Sequence, residues 1–101
     1  MAPGPLPVQF LPRAADEAEH IAVWYEAQRS DLGRQFMDEL RSRLDELAQH
    51  PTRGLLTADD AVGQIRLHRF PYLISYRTFP DHLLILAIGH TRRHPSFWPP
   101  R

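Results

Sequence analysis

The sequence predicts an α+β fold in which a helical hairpin packs on a small, largely antiparallel sheet, with the elements in the order β-α-α-β-β-β. Between residues 14 and 50, apolar side chains recur at intervals of three and four residues, which is the spacing of a helix. Between residues 62 and 77 they recur at every second residue, which is the spacing of a strand. The run Leu83–Ile88 is apolar without interruption, as in a central strand that is covered on both faces. With 101 residues, of which 43% are hydrophobic, we expect a single domain over residues 1–101.

The first predicted strand is Val8–Leu11, which lies between Pro7 and Pro12. Proline lacks the N–H that would continue a sheet ladder, so it suits the borders of a short strand. Seven of the ten prolines lie near the two ends of the chain. We therefore expect irregular, proline-rich ends at residues 1–7 and 95–101.

Two helices follow, separated by a short break at residues 28–31. The first begins near Ala14, and its inward face is predicted from spacing to consist of Ala18, Ile21, Ala22 and Tyr25. Ser30 or Asp31 is suited to cap the second helix. The apolar stripe of the second helix consists of Phe36, Leu40, Leu44 and Leu47. His50 and Pro51 end it, and so short a junction predicts an antiparallel hairpin.

Charged side chains cover the solvent face of the second helix. Three pairs of opposite charge are predicted at a spacing of four residues: Arg34–Asp38, Glu39–Arg43 and Arg41–Asp45. Each such pair contributes about 0.2–0.5 kcal/mol to a helix.

Polar side chains share one face of the two strands that follow the hairpin. In the segment 62–69, Ile65 and Leu67 point to one side of the sheet; the polar side chains that point to the other are Gln64, Arg66 and His68. In the segment 72–77, Ser75 and Arg77 continue this polar face. Phe79–His82 is predicted to be a turn into the apolar strand.

The neutral total charge conceals two oppositely charged halves. Residues 1–50 hold five arginines and nine carboxylates, whereas residues 51–101 hold seven arginines, three carboxylates and four of the six histidines. All twelve basic residues are arginine, whose planar fork binds phosphate or carboxylate. With helices on one side of the sheet, we expect the polar face to form a basic concavity that His90, Arg92 and Arg93 extend. It would bind a phosphate backbone or an acidic partner, or else be a solvated face without a partner.

Several classes of site are excluded or disfavoured. Without cysteine there is no disulfide framework and no zinc ribbon. His90 and His94 have a metal-like spacing, but Pro95 and the lack of a nearby carboxylate argue against a metal. No glycine-rich phosphate loop or serine elbow is present, so neither a metal nor a cofactor is expected. His68 and His90 are the better candidates for proton transfer. Phe97 and Trp98 would cover an edge of the core or anchor a partner.

Three strings of the sequence are typical of one family. They are WYEAQRSDLGRQFMDELRSRLDELAQHPTRG, IRLHRFPYLISYR and LLILAIGHTRRHPSFW. The resemblance that they carry covers the chain from about Phe10 to Trp98. In these strings the chain resembles the RelE/ParE superfamily of bacterial type II toxins, and more closely its ParE-like branch. The resemblance implies the fold given above and a toxin that a cognate antitoxin neutralises.

The resemblance also implies a choice between two mechanisms. RelE-like members are ribosome-dependent mRNA endonucleases that rely on basic side chains and usually on a C-terminal tyrosine or histidine; ParE-like members inhibit DNA gyrase. By position, Arg66, Arg77 and either Arg92 or Arg93 match family arginines. The tyrosine position falls near Phe97 or Trp98, neither of which has a hydroxyl, and the chain has no lysine. The sequence therefore favours a gyrase inhibitor.

Two alternatives stay open, so enzymatic activity is undecided although disfavoured. One is an mRNA endonuclease on the ribosome, in which His90, Arg66, Arg77 and Arg92 would act. The other is a degenerate, non-toxic scaffold for the antitoxin. The expected target- or antitoxin-binding set is Arg66, His68, Arg69, Arg77, Arg92, Arg93 and Trp98. The helical faces that do not pack on the core are a second plausible site for the antitoxin.

The expected location is the cytoplasm. The N-terminal segment lacks the features of a secretory signal, and the longest apolar run is too short to cross a bilayer. We expect neither a membrane partner nor direct DNA binding by the toxin alone.

Overall fold

The computed structural model describes residues 5–50 and 62–93, and the α+β fold predicted from the sequence is confirmed. The elements are β1 (Val8–Phe10), α1 (Pro12–Gln28), α2 (Leu32–Gln49), β2 (Val62–Arg66), β3 (Tyr72–Phe79) and β4 (His82–His90), followed by a short 3₁₀ helix, Thr91–Arg93. Helix α1 starts two residues before the predicted position because proline suits the first turn of a helix. Strand β2 ends at Arg66, earlier than predicted, because the chain turns between residues 67 and 71.

The four strands form one mixed sheet in the order β1-β4-β3-β2. Strand β1 is parallel to β4, and the other two pairings are antiparallel. The apolar strand β4 is therefore central, as its sequence predicts. No helix within the described residues is long and apolar enough to cross a membrane.

The core lies between the hairpin and one face of the sheet. Its fully buried large side chains come from α2 and from strands β3 and β4: Phe36, Leu40, Leu47, Ile74, Tyr76, Leu83 and Ile85. Helix α1 adds the small side chains of Ala14 and Ala18. The sheet face opposite the helices is called the outer face below.

A bulge in β4 sets which of its apolar residues face the core. Ser75 pairs with Ala87 but the next residue, Tyr76, pairs with Ile85, so Leu86 is the extra residue. The bulge shifts the alternation by one, which keeps Ile85 and the later Ile88 together in the core. The unbroken apolar run thus reflects a bulge as well as burial on two faces.

The junction between the helices depends on Glu26 of α1. Its carboxylate accepts the backbone N–H groups of Asp31 (2.8 Å) and Gly33 (3.0 Å) at the start of α2. Asp31 occupies the predicted N-cap position in a left-handed conformation (φ 76°), but its side chain makes no capping hydrogen bond. It accepts hydrogen bonds from Arg34 and then Gln35 instead, and these lower the pKa of Asp31.

A carboxylate of α1 also completes the edge of the sheet. Strand β1 pairs only with residues 83–85 of β4. Beyond it, the backbone N–H of Ile88 donates to the Glu17 carboxylate at 2.8 Å. This bond fixes α1 against the carboxyl end of β4, where candidate residue His90 lies.

Candidate functional site

The turn between β2 and β3 carries three of the predicted site residues. Arg66, His68 and Arg69 line one open depression of about 620 Å³, together with Arg43 of α2. Arg66 and His68 are exposed, and Ile65 and Leu67 are buried, as the alternation predicts. The sequence therefore places these side chains on the correct sides of the strand.

Helix α2 holds this turn through a row of polar side chains spaced four residues apart. The Glu39 carboxylate accepts the backbone N–H groups of both His68 and Arg69, the latter at 3.0 Å. The Arg43 Nε donates to the carbonyl of Arg66 at 2.9 Å. Gln35 accepts a hydrogen bond of 2.8 Å from the Arg69 guanidinium. The backbone of the site is thus positioned by α2.

These contacts replace one of the ion pairs predicted along α2. Arg34 and Asp38 do pair, at 2.8 Å. Glu39 and Arg43 instead form hydrogen bonds with the backbone of the β2–β3 turn. Arg43 also pairs with Glu46 at 2.9 Å. The side chain of Arg43 is only 12% exposed. The spacing could not reveal the contacts with the turn because those partners are 23 or more residues away in sequence.

The predicted arginines of the sheet lie on one face but do not form a tight cluster. Arg66 pairs with Leu73, and Arg77 lies four residues further along β3; at roughly 3.3 Å per residue their backbones are about 13 Å apart. Arg77 is exposed and its guanidinium lies over the Phe79 ring, 5.5 Å from the centroid. Arg69 points back to α2 and lies over Phe70.

The outer face is less open than the sequence predicts. Ser75, expected in the exposed polar set, is 4% exposed and lies between Gln64 of β2 and Ala87 of β4. Leu73 and Ala87 form a second, small cluster of buried residues, separate from the main core. The exposed charges of this face, Arg66 and Arg77, therefore lie at its two ends.

His90 does not join the arginines of the outer face. It pairs with Tyr72, whose ring contacts Phe36 of α2 on the helix side, and the rings of His90 and Tyr72 are 5.2 Å apart. His90 lines a separate cavity of about 200 Å³ with Tyr72, Glu17 and His20. Its Nδ1 accepts the backbone N–H of Arg92 at 3.0 Å, so the neutral ring carries its proton on Nε2.

Beside this cavity, Tyr25 lies against Tyr72. Burial, with Tyr72 beside it, raises the pKa of Tyr25. Within residues 5–50 and 62–93, no three His, Asp or Glu side chains are grouped as a metal would require. The remaining predicted positions, Trp98, Phe97, His94 and the side chain of Arg93, lie outside what the structure describes.

Sequence reasoning missed a second histidine environment, at the β3–β4 turn. The ring of His82 stacks on Phe79 with centroids 4.5 Å apart, and its Nδ1 is 2.7 Å from the Asp81 carboxylate. The hydrogen bond with His82 lowers the pKa of Asp81. The turn motif predicted the bend but carried no signal for this pairing.

The sequence pointed to the free helical faces as a plausible antitoxin site but did not predict the apolar groove along the hairpin, next to β1. We call it the hairpin groove; it consists of two adjoining cavities of about 370 and 250 Å³ that share Phe10 and Met37. Val23 lines the larger cavity and is 62% exposed. The available signal was a run of alanines at helical spacing on α1, Ala15, Ala18 and Ala22, which leaves room beside the core.

Comparisons with known proteins agree with this architecture. Residues 8–95 match the family model described as ParE toxin of type II toxin-antitoxin system, parDE. Among solved structures, one described as the chromosomal ParDE TA system from P. aeruginosa matches with a TM-score of 0.72 and 17% identity. The match covers 84% of this chain and 95% of that chain, and at this identity it shows the fold. No curated protein matches the chain.

Proposed function

The chain belongs to the ParE toxin family of type II toxin–antitoxin systems, and from this premise we propose that a cognate antitoxin neutralises it by binding in the hairpin groove and that its target is DNA gyrase. The groove is the observation that carries the proposal. Such a target would place the toxin in the cytoplasm.

The hairpin groove has the properties of a site for an apolar partner segment. Its larger cavity is lined almost wholly by apolar side chains of α1, α2 and β1. Val23 is more than half exposed although it is a large aliphatic residue, and burying such a side chain contributes about 1.5–3 kcal/mol. Because Val23 is already partly covered, a partner that covered the groove would gain part of this free energy.

A substitution in the groove tests the antitoxin site. Val23→Asp places a charge in the larger cavity, and we expect it to weaken binding of the antitoxin encoded beside the toxin gene by about tenfold or more, measured by calorimetry. Trp24→Asp is the matched control because Trp24 is 57% exposed on the same helix but lines neither cavity. Equal weakening by both variants would move the site from the groove to the outer surface of α1.

The placement of His90 supports binding to a target over cleavage of RNA by the set His90, Arg66, Arg77 and Arg92. His68, the other candidate for proton transfer, does line one depression with Arg66. Arg66 and Arg77 lie on the outer face, whereas His90 lines a cavity on the helix side of the sheet. Acid–base cleavage needs its proton donor within reach of the same phosphate that the arginines hold. The chain also has no lysine that could act on the RNA together with the arginines.

Two assays on the purified toxin separate the candidate targets. We expect inhibition of gyrase supercoiling or accumulation of gyrase-dependent DNA breaks, and intact mRNA on the ribosome. Cleavage of ribosome-bound mRNA that is lost in His90→Ala would establish the endonuclease instead. If expression without the antitoxin leaves growth, DNA integrity and translation unchanged, the chain is a non-toxic scaffold.

A further inference from the structure

The hairpin groove is divided into two unlike pockets by Phe10 and Met37, which line both. We name the larger the alanine pocket, after Ala15, Ala18 and Ala22 of α1, and the smaller the leucine pocket, after Leu40 and Leu44 of α2. A partner segment that lies along the groove therefore meets two separate concavities.

The alanine pocket exists because α1 presents side chains that end at Cβ. Ala15 is exposed, Ala22 is half-buried and Ala18 is buried, so one wall of the pocket is almost bare helix backbone. Its volume of about 370 Å³ is large enough for an aromatic or long aliphatic side chain. Glu19 is the charged residue at its rim.

The leucine pocket is smaller and has a different border. Leu40 and Leu44 are buried and form its floor, and Val8 of β1 forms one side. Arg41 and Asp45 lie at its rim, so one cation and one carboxylate border the apolar floor. Its volume of about 250 Å³ suits a smaller aliphatic side chain.

Charge favours a basic partner segment over a second copy of this chain. The charged residues that line the groove are two carboxylates and one arginine, Glu19, Asp45 and Arg41. Two copies that met through this same face would bring like charges together, which costs free energy. A segment with a cation beside its apolar residues would complement Glu19 at the rim of the alanine pocket.

We propose, on the basis of the antitoxin site proposed above, that the antitoxin is recognised through two apolar anchors. A large one enters the alanine pocket and a smaller one enters the leucine pocket. A basic residue next to the large anchor faces Glu19. Met37 and Phe10 set the separation of the anchors, and the flexible thioether of Met37 lets the divide adapt to related partners.

The test fills one pocket while the hairpin stays folded. Ala15→Leu adds an aliphatic side chain at an exposed position of α1, and both residues favour helix. Its matched control is Ala27→Leu, which is exposed on the same helix and lines neither pocket. Each variant is titrated calorimetrically with the full-length antitoxin encoded beside the toxin gene and with a set of its single alanine variants.

We expect Ala15→Leu to weaken binding of the unmodified antitoxin by about tenfold and Ala27→Leu to leave it unchanged. One antitoxin variant, in which the large anchor is reduced to alanine, should bind Ala15→Leu as well as it binds the wild-type toxin. Glu19→Arg should weaken the unmodified antitoxin, and more so at low salt.

The outcomes separate this inference from the proposed function. If Ala15→Leu weakens the binding of every antitoxin variant by the same factor, the groove binds the antitoxin but does not recognise it through two separate apolar side chains. If neither Val23→Asp nor Ala15→Leu changes the affinity, the groove is not the antitoxin site and both proposals fail. A loss of helical signal in Ala15→Leu by circular dichroism would transfer the test to Ala15→Met.

Discussion

At the scale of single residues, the chain uses its carboxylates to complete the backbone of other elements. Backbone N–H groups donate hydrogen bonds to three carboxylates: one of β4 to Glu17, those at the start of α2 to Glu26, and those of the β2–β3 turn to Glu39. Each carboxylate accepts N–H groups that would otherwise face water or be buried without a partner. The acidic excess of residues 1–50 is therefore partly structural.

Glu39 offers the clearest test of this role. Glu39→Ala removes the acceptor for the N–H groups of His68 and Arg69, and we expect it to lower the free energy of unfolding by about 1 kcal/mol. Urea unfolding measures the change. Asp38→Ala is the control because it removes only an exposed ion pair with Arg34, which is worth about 0.5 kcal/mol or less. Similar losses in the two variants would show that Glu39 contributes no more than an ordinary surface pair.

At the scale of elements, the two helices approach closely where α2 begins. Gly33 of α2 lies against the backbone carbonyl of Ala22 in α1, and a Cβ at this position would clash with that oxygen. The neighbouring N–H of Gly33 is also bound by Glu26. Glycine is required here for the approach of the helices, although it is unfavourable inside a helix.

Substitution of this glycine should therefore reverse the usual helix preference. In an exposed helix, alanine is more favourable than glycine by about 1 kcal/mol. At this position, we expect Gly33→Ala to destabilise the protein by roughly 1–3 kcal/mol because the helices must separate. Thermal and urea unfolding check the sign, and Ser42→Ala on the exposed side of α2 should be neutral or slightly stabilising. A more stable Gly33→Ala variant would refute the close approach.

At the scale of the whole molecule, two candidate surfaces lie in different places. The hairpin groove is formed by the helices and β1, whereas Arg66 and Arg77 point from the outer face of the sheet. On the function proposed above, the groove would bind the antitoxin and the outer face would bind the target. Neutralisation would then depend on the bulk or reach of the antitoxin, and not on competition for one pocket.

Charge reversal on the outer face tests this division. We expect Arg66→Glu combined with Arg77→Glu to reduce inhibition of gyrase supercoiling by about tenfold or more, and to leave the fold and the antitoxin affinity within about twofold. Arg29→Glu, at the exposed junction of the helices, is the control for charge reversal away from the outer face, and each single variant of Arg66 and Arg77 is compared with it at equal net charge. If the double variant inhibits gyrase normally, the outer face is not the target surface.

The sequence by itself determined the elements, their order and the side of each one that faces the main core. Helical and strand periodicities report which residues avoid water, and this property can be read within one segment, as for Phe36 and Leu40 or for Ile65 and Leu67. For the same reason the exposure of Arg66, His68 and Arg77 was predictable.

The tertiary structure alone decided which of these residues meet. It placed His90 beside Glu17 and away from Arg77, bound Glu39 to a turn 29 residues away, and left the hairpin groove beside β1. Periodicity assigns a side chain to a face but gives neither its position along that face nor the partner that satisfies its polar atoms. Those depend on the order of the strands, on the bulge in β4 and on the approach of the helices, which are set by contacts between segments distant in sequence.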